Sequence, residues 1–172
     1  MEHDHVDVKL EQLAVELPQI DIPTEGVVQR IQRLSWLLRK SLDETASAYG
    51  LTHADWGLLG KLRAAGAPYR QPAGKLAEHL SITPGAMTSR LDKLEARGLV
   101  RRVPDGEDRR VLQIELTDEG DRLWSEAVGV QAEKERLIAA ALDEDEKEQL
   151  NALLRKLMVS FGAVPAEKKQ TA

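Results

Sequence analysis

Two short helical patterns and then two strand patterns lie between residues 73 and 117, and they constrain the fold more than any other feature. The second helical pattern has well-marked ends. Thr83 is a favourable N-cap, Pro84 suits the first turn, and Gly98 suits the residue after the last turn. A tight connection joins the two helices. This order of elements predicts a helix-turn-helix followed by a β-hairpin, the wing.

The second strand of the wing alternates apolar and polar residues. Leu112, Ile114 and Leu116 share one side, while Gln113 and Glu115 share the other, which is the period of a half-buried strand. The facing strand spans residues 99–103, and the tip between them reads Asp105-Gly106-Glu107-Asp108-Arg109-Arg110. We therefore expect a half-buried hairpin whose tip carries arginines.

The second helix of the helix-turn-helix has two different faces. Met87, Leu91 and Leu94 recur at helical spacing and predict the buried face. The other face carries small, hydrogen-bonding or charged side chains, namely Gly85, Ala86, Thr88, Ser89, Arg90, Asp92 and Lys93. Small side chains near a helix N-terminus allow a close approach to a groove.

Charge is unevenly distributed along the chain. The whole sequence carries −5, but residues 70–110 contain nine Lys or Arg and six Asp or Glu, so this segment carries +3 and the rest −8. A local positive field attracts phosphates, whereas an acidic remainder discourages indiscriminate binding. The distribution favours a nucleic-acid contact at the helix-turn-helix and wing. The alternative is that these lysines and arginines only solvate the segment.

The remaining patterns are helical and predict a mainly α fold with a small β wing. Thr52 with Asp55, and Asp143 with Glu146, fit capping boxes, and Pro23 is interpreted as the end of the first helical segment. We divide the chain into an extra N-terminal helix and linker (1–24), a dimerisation helix (25–49), a winged helix-turn-helix head (50–117), C-terminal dimerisation helices (118–163) and a flexible tail (164–172).

The last helical pattern carries a wide apolar stripe that needs a partner surface, made of Leu150, Leu153, Leu154, Leu157, Met158 and Phe161. Long helices at both ends of a chain are hard to bury around a small head. We therefore predict a twofold homodimer with interleaved terminal helices, in which two heads can read a palindrome. The alternative is a monomer whose terminal helices pack on their own chain.

Several kinds of site have no pattern in the sequence. There is no Cys, P-loop, Rossmann glycine pattern, nucleophile elbow or metal-ligand cluster. His3 and His5 flank Asp4, but without further ligands at fixed spacing we predict no metal site. We expect no enzyme activity, no catalytic residues, no cofactor, no membrane span and a cytoplasmic location.

The sequence resembles the MarR family of transcriptional regulators over about residues 25–161. Three stretches carry the resemblance: residues 75–80, residues 87–100 and residues 108–117. It implies a dimeric winged-helix protein that binds double-stranded DNA, usually represses nearby genes, and releases DNA when a small aromatic or anionic effector binds between the head and the dimer helices. A winged-helix protein-interaction module without ligand response is the alternative, and the basic head counts against it.

The resemblance also implies which residues meet DNA. The recognition helix would lie in the major groove and contact it through Pro84, Gly85, Ala86, Thr88, Ser89, Arg90 and Lys93. Arg109 and Arg110 of the wing would enter the adjacent minor groove, and Asp108 would orient an arginine.

A narrower resemblance links the extra N-terminal helix and residues 62–70 to family members that respond to urate. Those members usually have a Trp and an Asp where this chain has Leu13 and Gly57, and only the recognition-helix arginine, Arg90, is retained. We therefore expect urate to be a poor effector. Candidate pocket residues are Trp36, His53, Trp56, Tyr69 and Arg90, although aromatic residues at helical spacing are more often core.

Overall fold

A computed structural model describes residues 3–104 and 112–163 of the 172-residue chain. Within these ranges the fold is mainly helical with one small sheet, as predicted. The elements are α1 His5–Glu16, α2 Ile22–Ala48, α3 His53–Ala64, β1 Arg70–Pro72, α4 Ala73–His79, α5 Pro84–Ala96, β2 Val100–Pro104, β3 Leu112–Leu116, α6 Asp118–Ala139 and α7 Glu144–Ala163.

The sheet contains one strand that the sequence analysis missed. The strand order is β1-β3-β2, and both pairings are antiparallel. Arg70 of β1 and Arg101 of β2 lie opposite Glu115 of β3 on its two sides. Because β1 has only three residues, it is too short to show a period-2 alternation.

The alternation predicted for β3 is only partly right. Ile114 and Leu116 are buried, but Leu112 is 43% exposed and Glu115 only 4% exposed. The expectation of a solvated Glu115 is wrong because arginines on both neighbouring strands bind its carboxylate. Two charge-assisted contacts compensate for the loss of water around a buried carboxylate.

Aliphatic side chains form the core of the head (residues 50–117). They include Leu58, Leu59, Leu62, Leu76, Met87, Leu91, Leu94, Leu99, Val100 and Ile114, all at most 3% exposed. The predicted buried face of α5 is therefore confirmed. Burying each such side chain contributes about 1.5 to 3 kcal/mol, so this core fixes α5 on the head.

The helix ends follow the predicted capping chemistry. Both hydrogen bonds of the Thr52 and Asp55 capping box are present, and Asp143 and Glu146 exchange the same pair of bonds. One boundary was wrong: α2 begins at Ile22, before the expected Glu25. Pro23 stands in the first turn of α2, where a missing N–H costs nothing, so it starts this helix instead of ending the previous segment.

The chain forms two compact units, the first ending at Gln131 and the second beginning at Ala132. In the first unit α1 packs on α2, with Leu10 buried and Arg30 binding Asp4 at 3.0 Å and Asp7 at 2.5 Å. In the second unit the apolar stripe of α7 is exposed, with the side chains of Leu150, Leu153, Leu154, Leu157, Met158 and Phe161 open. None of the helices in the described residues combines the length and the apolar composition that a membrane span requires.

Candidate nucleic-acid interface

The N-terminal half of α5 is presented on the surface of the head. Thr83 caps it, because its hydroxyl accepts a hydrogen bond from the Ala86 N–H at 3.2 Å. Most of the residues assigned to DNA are exposed: Pro84, Gly85, Ala86, Thr88 and Ser89 in this half, and Lys93 nearer the end of α5. The first turn therefore combines small side chains, the positive end of a helix dipole and access from solvent, which suits a phosphate or a base edge.

Two hydroxyls on this face differ in what they can still bind. The Thr88 hydroxyl donates to the Pro84 carbonyl at 3.0 Å, so its lone pairs can accept while its proton is engaged. Ser89, the next residue of the helix, is also exposed. The contacts with DNA assigned to these two residues remain predictions.

Arg90 is placed differently from the rest of the predicted contact set. Its guanidinium is turned toward the start of α3 and donates to Asp55 at 2.6 Å and to Thr52 Oγ1 at 3.0 Å. Burial raises the pKa of Asp55, but hydrogen bonds from Thr52 and Arg90 outweigh it and hold that pKa below its usual value. A base or effector contact by Arg90 remains a prediction, and it would compete with this ion pair.

Another arginine, Arg102, which the sequence analysis did not assign to any role, connects the wing to α5. Arg102 of β2 donates to Asp92 at 2.6 Å and also binds Glu95. Burial lowers the pKa of Arg102, yet these two carboxylates outweigh it and raise the pKa. The acidic residues of α5 therefore serve to hold β2 and do not face phosphates unpaired. Asp92 and Glu95 at i, i+3 were the available sequence signal for a cation on a neighbouring element.

The root of the wing is fixed by a cluster that we call the wing-root clamp, made of Arg70, Arg101 and Glu115. The Nε atoms of Arg70 and Arg101 each lie 2.8 Å from one oxygen of Glu115. The hydrogen bond from Arg70 is the largest effect that lowers the pKa of Glu115; burial opposes it, and Arg101 adds to it. The wing tip, with Asp108, Arg109 and Arg110, lies outside the described residues.

The five candidate effector residues are spread over the first unit. Trp36 is half exposed on α2, with Arg33 4.6 Å from its ring centre. Trp56 packs against the core of the head, its ring centre 6.1 Å from that of Trp124. His53 binds Asp43 at 2.9 Å.

The ring of Tyr69 packs against the guanidinium of Arg63, whose central carbon lies 4.4 Å from the ring centre.

A cavity of about 470 Å³ lies between α4, α5 and the wing, lined by Ala77, Ile82, Met87, Thr88, Leu91 and Arg102. Trp36 borders two other cavities and Tyr69 a third, and none of these four cavities, all lined by described residues, brings the five candidates together. Their common role in effector binding remains a prediction.

The fold and this surface together define a winged helix-turn-helix protein. A three-helix head places a capped helix with an exposed N-terminal turn beside a sheet of three strands. The family model of the MarR family matches residues 51–112. Because a transcriptional regulator that is 38% identical also matches 83% of the chain, the chain belongs to the MarR family.

Three comparisons describe its relatives. The chain is 38% identical over 142 residues to the HTH-type transcriptional regulator PecS of Dickeya dadantii, covering 83% of this chain and 86% of PecS. It is 31% identical over 98 residues to the HTH-type transcriptional repressor MdtR of Bacillus subtilis, covering 57% and 61%. A crystal structure of a mutant MarR from E. coli complexed with operator DNA aligns with a TM-score of 0.62 and 25% identity, covering 84% and 96%.

These relationships define the function at a coarse level. The chain is a DNA-binding transcriptional regulator and not an enzyme. The predicted class of protein is therefore confirmed, whereas the individual contact residues are predictions that the comparisons do not test.

Proposed function

We propose that this protein is a repressor that binds a palindromic operator as a homodimer and is released by a small aromatic or anionic effector. The observation that carries the proposal is the exposed first turn of α5 above a fully buried apolar face. This helix is held rigidly by the core while its small and hydrogen-bonding side chains stay free to enter a major groove. We also propose a cytoplasmic location, where the operator is accessible.

We propose that the exposed residues of α5 contact the major groove, with Lys93 as a phosphate contact. They are Pro84, Gly85, Ala86, Thr88, Ser89 and Lys93. Arg109 and Arg110 are proposed for the minor groove and Asp108 as their orienting partner, as the family resemblance implies. MdtR is a repressor by name, and the mutant MarR was solved with operator DNA; both support repression through an operator.

The dimer is supported by apolar surface on two long helices. On α2 the open side chains are Val27, Val28, Ile31, Leu34, Trp36, Leu37 and Leu38, and α7 has its own exposed stripe. Contiguous apolar patches of this kind mark interaction surfaces in folded proteins. A twofold dimer would cover the same surface on both chains and bring two heads to one operator.

The class of effector is inferred from three positions, Leu13, Gly57 and Arg90. Leu13 and Gly57 stand where urate-responsive members have a stacking ring and a carboxylate, and the remaining anchor, Arg90, is already bound to Asp55. A urate anion would have to displace that carboxylate. We therefore propose that urate is a poor effector and that another small aromatic or anionic molecule releases the DNA.

The test is binding to the DNA upstream of the protein's own gene at several salt concentrations. We expect a plot of log K against log salt with a slope of about −0.9 per phosphate contact, and a footprint with twofold symmetry. Binding that does not change with salt would instead favour the alternative, a protein-interaction module without ligand response.

Urate is then titrated against the protein–operator complex, with a panel of aromatic acids beside it. Release by an aromatic acid but not by urate is the expected result. Efficient release at low micromolar urate would show that the inference from Leu13 and Gly57 is wrong.

A further inference from the structure

The recognition helix makes a second polar attachment that neither the core nor the wing accounts for. Arg97, the C-cap residue just after α5, donates to the Tyr49 carbonyl at 3.0 Å and to the Gly50 carbonyl at 2.5 Å. These carbonyls stand at the C-terminal end of α2, where a helix leaves acceptors unsatisfied and its dipole is negative. A guanidinium with several donors matches that end in both charge and geometry.

Arg90 binds the α3 end of the segment whose α2 end is bound by Arg97. It lies two helical turns before Arg97, so both side chains leave α5 from one face. Its guanidinium binds Asp55 and Thr52 at the start of α3. We call residues 49–55, which comprise the link between α2 and α3 and the first residues of α3, the corner. Both arginines therefore end on the corner, one at each end of it.

The corner is also hydrogen-bonded to α2. The Leu51 N–H donates to the Ala46 carbonyl at 2.9 Å, and His53 binds Asp43 of α2 at 2.9 Å. Gly50 has φ of +66°, and a Cβ built there would lie 3.3 Å from a nitrogen of Arg97. A side chain at this position would strain the backbone and crowd the guanidinium. The corner is thus hydrogen-bonded to α2 through Leu51 and His53, so α2 positions it.

We propose that Arg90 and Arg97 form a two-point clamp that sets the angle of the recognition helix relative to α2, and through it the spacing of operator half-sites that the dimer accepts. This inference rests on the proposed function, in which α2 belongs to the dimer interface. Arg97 is a positioning residue, because it acts on the orientation of α5 without itself meeting DNA. Its exposed hydrogen bonds compete with water, so they restrict direction more than they stabilise the fold.

The first experiment compares the wild type, Arg97→Gln and Arg122→Gln on operators with the natural half-site spacing and with one inserted base pair. An insertion turns one half-site by about 34° relative to the other. Arg122 is the matched control because it is an exposed arginine that binds only Glu119 and Glu126 on its own helix among the described contacts.

We expect the insertion to weaken wild-type binding on the order of 100-fold, since simultaneous engagement of two sites is lost. The control should behave in the same way. For Arg97→Gln the penalty should fall below about tenfold, with affinity for an isolated half-site unchanged. A variant that is only less stable would bind all operators more weakly and keep the wild-type ratio, which would overturn the clamp. Arg97→Lys should retain part of the wild-type ratio, because a lysine can still donate to one carbonyl.

The second experiment does not depend on DNA. The chain has no Cys, so cysteines introduced at Glu44 of α2 and Ser89 of α5 can be spin-labelled selectively. Diluting labelled chains with unlabelled ones isolates the distance within one chain. We expect Arg97→Gln, but not Arg122→Gln, to broaden the distribution of distances between the labels. An unchanged distribution overturns the clamp even if the dimer binds its operator. Failure of the wild type to bind a palindrome overturns the proposed function and the consequence for half-site spacing, but not the effect of Arg97 on the angle of α5.

Discussion

The head and the long helices bury their apolar residues to very different degrees. In the head, leucines such as Leu58, Leu62 and Leu94 are at most 1% exposed. On α2 and α7 residues of the same type are open, with Leu34 at 52% and Leu153 at 61%. A folded chain does not normally leave so much contiguous apolar surface to water. The head is therefore well packed by its own residues, whereas α2 and α7 each carry exposed apolar surface that the proposed dimer would cover.

The largest effect is expected when a charge is placed on the exposed apolar stripe of α7. We expect Leu157→Glu to raise the dimer dissociation constant roughly 1,000-fold, or about 4 kcal/mol, because two unpaired carboxylates would be buried in one twofold interface. Sedimentation at micromolar concentration measures this effect.

The matched control for that variant is Ala152→Glu, which adds the same carboxylate on the opposite side of α7. It should remain a dimer. Equal behaviour of the two variants would show that the stripe of α7 is not an interface.

The next effect concerns the head. Leu62 is fully buried in its core, so Leu62→Ala should lower the free energy of unfolding by about 2 to 5 kcal/mol through lost burial and the cavity left behind. Urea titrations at two protein concentrations measure it. The loss should be the same at both concentrations for Leu62→Ala, but should depend on concentration for Leu153→Ala, since dimer stability follows mass action. A concentration-independent loss in both variants would contradict the division between the two regions.

A smaller effect comes from the charge buried in the wing-root clamp. The pKa of Glu115 is lowered in the fold, so its ionised form is favoured there and stabilises the folded state above the unfolded pKa of about 4.3. That stabilisation should be lost as pH falls through the lower folded pKa. Glu115→Gln should therefore cost about 1 to 2 kcal/mol at pH 7 and show a shallower loss of stability below pH 5.

Urea titrations at pH 7, 5, 4 and 3 measure the pH dependence of the wild type and the variant. Glu148→Gln, an exposed carboxylate change on α7, serves as the control and should follow the wild type. If stability fell with pH as steeply in Glu115→Gln as in the wild type, the wing-root clamp would not stabilise the fold through an ionised Glu115.

These two regions were also unequally predictable from sequence. The caps and buried face of α5 follow local rules, so Thr83, Met87 and Gly98 could be assigned from spacing alone. The burial of Glu115 depends on strand register across the sheet, with one partner on β1, a strand of three residues. The direction of the Arg90 side chain could not be predicted either, because no residue of α5 indicates that it turns toward α3.

The least disruptive change tests the link between local sequence and the recognition surface. Thr83→Ala removes the hydroxyl that accepts from the Ala86 N–H, which should cost about 1 kcal/mol. Thr83→Asn keeps a capping oxygen and should restore most of that stability. Because the uncapped first turn carries three of the proposed DNA contacts, Pro84, Gly85 and Ala86, Thr83→Ala should also weaken operator binding. Hydrogen exchange should rise at Ala86 and Met87 before it rises in the core of the head. Unchanged exchange at these two amides would show that the rest of the head, and not the cap, orders the start of the recognition helix.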